Sequence, residues 1–199
     1  MSIVVEHEKR RHEILEKALD VFMDEGFEDV TFQKIADRCG ITRTTLYVYF
    51  KNKREIFNYS IKQVLQELEN SINEIRKQKK YTHAEKLLQV MIAIFECLEE
   101  NRRMLSVVMN YLFYISKGDH DPDYRVRRRT VRLRHIQASM LIEGIKAGEF
   151  AKSINVKNAN ELFYSFFEAA VFRLAVLRRS SVGELKDAMK LVVSRFTAK

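Results

Sequence analysis

The sequence predicts an all-α protein of about nine helices. Three observations lead there. The 199-residue chain holds one proline, Pro122, and only six glycines, so it has few of the residues that interrupt helices. Apolar side chains recur at i, i+4 and i+8 through most of the chain, the period of one buried helical face. Cap residues stand where the periodic runs begin, and glycine stands where several of them end.

Residues 8–25 form the first expected helix, with Ile14, Ala18 and Phe22 inward and Leu15 and Leu19 widening the stripe. Gly26 follows, at a left-handed end position that glycine tolerates best. Thr31 caps the second helix, which turns Ile35 and Ala36 inward, and Gly40 supplies the next tight turn. Thr42 caps the third helix, to Tyr49, with Leu46 inward and Phe50 and Ile41 closing a small core. Asn52 and Glu55 resemble a reciprocal cap for a long fourth helix that reaches about residue 77. Thr82 and Glu85 open the fifth, to about Glu100, and a sixth covers 102–116. Residues 117–122 read as a loop. Asp121 as cap and Pro122 at the first position start the seventh, to about Ala147. The eighth spans roughly 156–178, and Ser181 with Glu184 caps the ninth, to about Phe196.

The net charge of +8 favours a polyanionic partner. It is unevenly spread: residues 1–60 carry 10 Lys and Arg against 11 Asp and Glu, and the other 139 carry 25 against 16. Cys39 and Cys97 are far apart, which argues against a disulfide framework and for a reducing compartment. The N-terminal run MSIVVEHEKRRHE lacks the apolar core of a secretory signal, and no run approaches a membrane span. The expected location is the cytoplasm, without membrane association.

Residues 26–53, GFEDVTFQKIADRCGITRTTLYVYFKNK, are the most specific part of the chain. Two short helices, a tight turn and a dense set of hydroxyl, amide and basic groups suit a helix-turn-helix. Its second helix lies in a DNA major groove about 12 Å wide while the first braces it. Gly26-Phe27, Thr31, Ile35-Ala36, Gly40, Thr45-Leu46-Tyr47, Tyr49-Phe50 and Lys51-Asn52-Lys53 together resemble the N-terminal domain of the TetR family of transcriptional regulators. The resemblance covers about residues 8–57. Beyond it, only the architecture and Gly148-Glu149-Phe150, a common ending of the seventh helix in that family, agree.

The resemblance implies a DNA-binding domain over 1–57 and a ligand-binding and dimerisation domain over 58–199. It implies DNA contacts by Thr31, Gln33, Thr42, Arg43, Thr44 and Thr45, phosphate contacts by the hydroxyls of Tyr47 and Tyr49, and a charge-assisted phosphate contact by Lys53. Lys9, Arg10 and Arg11 would serve as a basic N-terminal arm. Cys39 occupies a position where a small apolar residue would fill the core.

The second domain is less specific. Met91, Phe95, Met104, Tyr111, Tyr114, Met140, Phe163 and Phe167 supply soft and aromatic surface for an apolar or aromatic small molecule. Leu162, Phe166, Ala169, Ala170 and Arg173, with Leu185, Ala188, Met189, Val192 and Phe196, supply the stripes of a four-helix homodimer interface. His135 and Glu168 are isolated polar groups. The run RVRRRTVRLR over 125–134 puts Arg125, Arg128, Arg129 and Arg132 on one helical face, either solvated or docked to an anionic group. No metal-ligand spacing, phosphate loop or nucleophile–base pair stands out, so no cofactor, no metal and no enzyme activity are expected. Two functions remain open. One is a dimeric repressor on a pseudo-palindromic operator in double-stranded DNA, released by a small molecule. The other is an architectural or partner-binding protein with the same DNA-binding head and no inducer.

Overall fold

A computed structural model describes residues 3–117 and 121–197, with side chains from Val5 onward. The described residues form helices α1 (Ile3–Asp29), α2 (Phe32–Cys39), α3 (Arg43–Tyr49), α4 (Lys53–Lys77), α5 (His83–Glu100), α6 (Arg102–Ser116), α7 (Pro122–Lys146), α8 (Val156–Ala175) and α9 (Gly183–Ser194). The expected all-α class is what the chain adopts; an isolated bridge between Phe150 and Thr197 is the one β-type pairing among the described residues. Of the expected loop over 117–122, residues 118–120 lie outside the described residues.

The chain divides into two compact units. The first is Met1–Gln66 with Val107–His120, and the second is Glu67–Ser106 with Asp121–Lys199. Helices α4 and α6 each contribute one part to each unit.

In the first unit α1 is longer than its apolar period suggests, because it starts at Ile3. Its helical dihedrals break at Gly26 (φ 80°, ψ 162°), the position read as a helix end. Thr31 and Thr42 cap α2 and α3 as expected, accepting from the Lys34 and Thr45 amides. Gly40 sits in the left-handed region (φ 67°), which lets the Ile41 amide reach back to the Ala36 carbonyl at 3.0 Å. Asn52 accepts from the Glu55 amide at 2.9 Å, but the Glu55 carboxylate reaches the Lys51 amide (2.6 Å), one residue before the position a reciprocal cap would use.

The core of this unit is aromatic. Phe57 meets Phe22, Phe27 and Tyr111 at centroid distances of 5.0, 5.2 and 5.3 Å, and Phe27 meets Tyr111 at 4.6 Å. The compact unit therefore exceeds residues 1–57: it also takes in 58–66 and the end of α6, where Val107, Tyr111 and Ile115 are buried in the same cluster. Cys39 lies buried in this core with its Sγ 4.0 Å from the Ile14 carbonyl, and burial pushes its thiol up. Burial likewise pushes Cys97 up to about 11, so neither is a reactive thiolate.

The second unit packs α5 against α7, α8 and α9, and α7 against α8. Two carboxylates tie its helix ends together. Glu149, in the Gly148-Glu149-Phe150 ending, accepts from the His83 and Ala84 amides (2.7 and 3.3 Å) and from the His83 ring (2.8 Å), which caps α5. Gly144 is required beneath this ending: a Cβ there would stand 2.2 Å from the Phe150 ring. The cap of α9 differs from the expected Ser181–Glu184 pair. Val182 is the cap residue and makes no side-chain cap bond. Glu99 of α5 instead accepts from Ser181 Oγ (2.9 Å), the Val182 amide (2.7 Å) and Lys186 Nζ (2.7 Å). The charged Lys186 is the better partner, and Glu184 pairs with Arg173 and Arg179.

Burial pushes the Glu99 carboxyl up, but its hydrogen bonds from Lys186, Val182 and Ser181, with the Lys186 charge, together hold it below the ordinary value of 4.5. A depressed carboxylate stabilises the fold fully above its unfolded value, and that contribution fades as pH falls through the folded one. Glu99→Ala is expected to cost about 1–3 kcal/mol at neutral pH. The gap between wild type and variant in urea unfolding should narrow as pH drops from about 5 to about 3. A gap that holds constant across that range would show that the carboxylate charge is not what caps α9.

Candidate nucleic-acid interface

Helix α3 is held by one buried side chain, Leu46, and by the Phe50 amide closing its end on the Leu46 carbonyl. With Leu46 inward, Thr42, Arg43, Thr44, Thr45, Tyr47 and Val48 are all exposed. Thr31 and Gln33 are exposed at the start of α2. Apart from half-buried Tyr49, the residues expected to read DNA from α2 and α3 are thus solvent-accessible, and several are held by local contacts.

Thr42 accepts from the Thr45 amide at 3.0 Å, and the two hydroxyls lie 2.8 Å apart. Gln33 Nε2 donates to Asp37 Oδ1 at 2.7 Å, which leaves its carbonyl oxygen as the free end of the amide. Arg43 Nη2 donates to the Tyr47 hydroxyl at 3.2 Å, and Tyr47 rests against Phe32 with centroids 4.6 Å apart. The Arg43 fork is steadied from one side by a tyrosine that is itself braced by the core. Tyr49 is half-buried and stacks on His7 at 4.6 Å, beside a surface groove of about 600 Å³ lined by Glu6, Lys9, Arg10 and Glu13 as well as the two rings.

Lys53 departs from its expected role. Its ammonium donates to the carbonyls of Phe27, Glu28 and Val30 at 2.9, 2.7 and 2.8 Å, so all three of its donors serve the end of α1. Burial pushes Lys53 below the ordinary lysine value, opposed by the nearby Asp29 and Glu28 charges. A phosphate contact would have to displace these bonds. The physical reason is local: the helical dihedrals of α1 break at Gly26, and the carbonyls beyond the break need a donor.

Other basic groups are also engaged. Arg11 lies over the Tyr59 ring (4.1 Å) and near Phe50 (5.2 Å), so it braces the core rather than forming an arm. Arg10 pairs with Glu13, Lys34 with Glu25 and Arg38 with Asp24. The side chains of Arg43 and Lys51 are exposed without an ion pair among the described residues. His7 was not foreseen: its stacking on Tyr49 depends on the first turns of α1, which carry too weak an apolar pattern to be read as helix.

The residues expected to line a ligand site are separated. Met91, Phe95, Met140, Phe163 and Phe167 are buried in the second unit, on α5, α7 and α8, with Phe95 and Phe167 5.1 Å apart. Met104 is also buried. Tyr111 lies instead in the aromatic core of the first unit, and Tyr114 is 46% exposed at its edge, 6.3 Å from Phe27. His135 and Glu168 face solvent. The arginine run is partly neutralised: Arg127 pairs with Asp123 (2.8 Å), Arg132 with Glu69 (3.5 Å) and Arg134 with Glu161 (2.7 Å).

The family model for bacterial regulatory proteins of the tetR family matches residues 14–59, the segment that builds this interface. Over those residues the chain carries a TetR-type DNA-binding domain. It is 24% identical over 163 residues to the fatty acid metabolism regulator protein of Bacillus subtilis, covering 80% of each chain. It is 27% identical to the transcriptional repressor KstR2 of Mycolicibacterium smegmatis, covering 79% of this chain and 73% of that one. Among solved structures, a TetR regulator from Haloarcula marismortui aligns with a TM-score of 0.78 at 17% identity, over 96% and 100% of the two chains. FadR of Bacillus subtilis, solved with stearoyl-CoA, aligns with a TM-score of 0.73 at 21% identity, over 92% and 96%. The chain therefore carries a DNA-binding domain of the kind found in bacterial regulatory proteins, on a fold shared with these structures. No helix among the described residues is long and apolar enough to cross a membrane.

Two expectations follow for the interface. Arg43→Ala should reduce discrimination between operator and random DNA by about 1–3 kcal/mol, measured by competition binding, if the fork reads a guanine; unchanged preference removes Arg43 from base readout. Lys53→Ala should lower the melting stability by about 1–3 kcal/mol through its three orphaned carbonyls. It should leave the salt dependence of DNA binding as in wild type, and a slope flatter by about one unit would return Lys53 to the phosphate contacts.

Proposed function

We propose that this TetR-family regulator is a repressor that binds a pseudo-palindromic operator as a homodimer and leaves it when a small molecule with a long apolar part binds residues 58–199. The observation that carries the DNA-binding part is the exposed α3 surface, with Arg43 steadied by Tyr47 and the Thr42, Thr44 and Thr45 hydroxyls beside it. In a two-fold dimer the two α3 helices would enter successive major grooves about 34–36 Å apart. Residues 1–57 supply DNA contact in this reading and residues 58–199 supply dimerisation and ligand control, at work in the cytoplasm.

Dimerisation is supported by apolar surface on α8 and α9. Leu162, Phe172 and Val176 are 42%, 50% and 44% exposed, and Leu191 is 59% exposed. A second copy would cover these side chains. Part of the stripe expected to dimerise, Ala170, Leu185 and Met189, is buried within the chain itself.

The ligand class is a long-chain acyl thioester. The name of the Bacillus subtilis fatty acid metabolism regulator and the stearoyl-CoA bound to FadR motivate it. The buried methionine and phenylalanine side chains of α5, α7 and α8 are the apolar surface it would use. Helix α4 runs by chain continuity from one compact unit into the other and would carry the signal. Such coupling is typically worth about 1–3 kcal/mol.

The test is selection of bound fragments from the source genome with the purified protein, followed by titration of stearoyl-CoA onto the complex. Recovery of inverted-repeat sites, occupied by two chains and released by stearoyl-CoA, is the expected result. Asymmetric sites bound by one chain overturn the dimeric reading, and binding indifferent to stearoyl-CoA overturns the ligand class.

A further inference from the structure

Two polar side chains are nearly fully buried among the described residues, Ser60 and Gln137, each 2% exposed. The Ser60 hydroxyl donates to the Leu15 carbonyl at 3.1 Å and is accounted for. Gln137 is not. Its Nε2 faces the Met91 thioether at 3.9 Å, a weak acceptor, and its Oε1 receives no hydrogen bond. An amide whose carbonyl oxygen is kept in an apolar core without a partner bears that oxygen's full desolvation penalty, and a leucine or methionine would fill the same space without one.

Gln137 is the inner end of a polar seam between α7 and α8. Arg127, Thr130, Arg134 and Gln137 fall at i, i+3, i+7 and i+10, one face of α7. Opposite them on α8, Asn160 Nδ2 donates to the Arg134 carbonyl at 3.1 Å, and the Tyr164 hydroxyl lies 3.3 Å from Thr130 Oγ1. The Arg134 guanidinium stacks 3.6 Å over the Tyr164 ring. Two more buried atoms of this seam, Arg134 Nε and Asn160 Oδ1, have no hydrogen-bond partner. The seam thus offers a donor and acceptors in sequence along one line. It leads from solvent at Arg127, 71% exposed, to a core of methionine and phenylalanine.

We propose that this seam is the polar track of the ligand site and that Gln137 binds the thioester junction of a long-chain acyl-CoA, an assignment that rests on the acyl-thioester reading above. Each part of such a molecule meets matching chemistry. The thioester carbonyl accepts from Gln137 Nε2, which gives up only a thioether for it, and the first pantetheine amide N–H donates to Oε1. The remaining pantetheine amide and hydroxyl groups answer Arg134 Nε and Asn160 Oδ1. Arg127 lies ten residues from Gln137 along the helix, about 15 Å, where the phosphates would emerge. The acyl chain enters among Met91, Met140 and the phenylalanines; methionine can change rotamer to admit it.

The experiment is calorimetric binding of stearoyl-CoA, stearic acid and a ketosteroid to the full chain and to Gln137→Leu, with melting temperatures recorded without ligand. Wild type should bind stearoyl-CoA at least about tenfold more tightly than either other probe, and Gln137→Leu should lose about tenfold of that affinity without a lower melting temperature. Gln137→Met is the second variant in case leucine does not pack. Unchanged stearoyl-CoA affinity in a folded variant overturns the seam and leaves the acyl-thioester reading standing. A melting temperature lowered in both variants shows that Gln137 holds the core instead, and also overturns it. A wild type that binds no stearoyl-CoA, or binds the ketosteroid or stearic acid as well, overturns the reading and the seam together.

Discussion

Three main-chain carbonyls converge on one ammonium where α1 ends, and the DNA-binding head depends on that junction. Gly26 breaks the helix, and the chain beyond it exposes the carbonyls of Phe27, Glu28 and Val30. Lys53, at the first position of α4, satisfies all three. This fixes the start of α4 against the end of α1, and the α2–α3 pair is the chain between those two points. The aromatic cluster of Phe22, Phe27, Phe57 and Tyr111 stands beside the same junction, with Lys53 5.1 Å from the Phe27 ring.

The consequence for DNA binding is economy of charge. A nearly neutral head that also commits Lys53, Arg11, Lys34 and Arg38 to internal contacts has few cations left for phosphate. In the proposed reading, recognition rests on a small set of oriented groups, chiefly Arg43 and the threonine hydroxyls of α3. Counterion release scales with the number of neutralised phosphates, so non-specific affinity should be modest and sequence readout should count for more. The second unit shows the complementary pattern. Its carboxylates, Glu99 and Glu149, are placed at helix N-termini, where amides and a basic side chain receive them.

The helix-turn-helix was legible because its determinants are local. Thr31, Gly40 and Thr42 act within a few residues of themselves, and the period around Ile35 and Leu46 sets which faces are exposed. The nine helices among the described residues were legible for the same reason, to within about five residues at their ends. Side-chain destinations across long separations were not. Nothing near Lys53 in sequence announces that its partners lie at 27–30, and nothing near Ser181 announces that Glu99 supplies the cap of α9. Tyr111 and Phe95 carry the same helical periodicity, yet one packs in the first unit and the other in the second.

The sequence by itself determined the fold class, the order of helices, the family resemblance of the N-terminal segment and which α3 residues are exposed, because capping, glycine geometry and apolar period act over one or two turns. Tertiary structure alone decided which charges are bound, where Tyr111 and Tyr114 go, and that the carbonyl oxygen of a buried glutamine lacks a partner. Those outcomes depend on which distant carbonyl, ring or carboxylate arrives at a given side chain. Hydrogen bonds and burial respond to distance in space, and a linear pattern does not contain it.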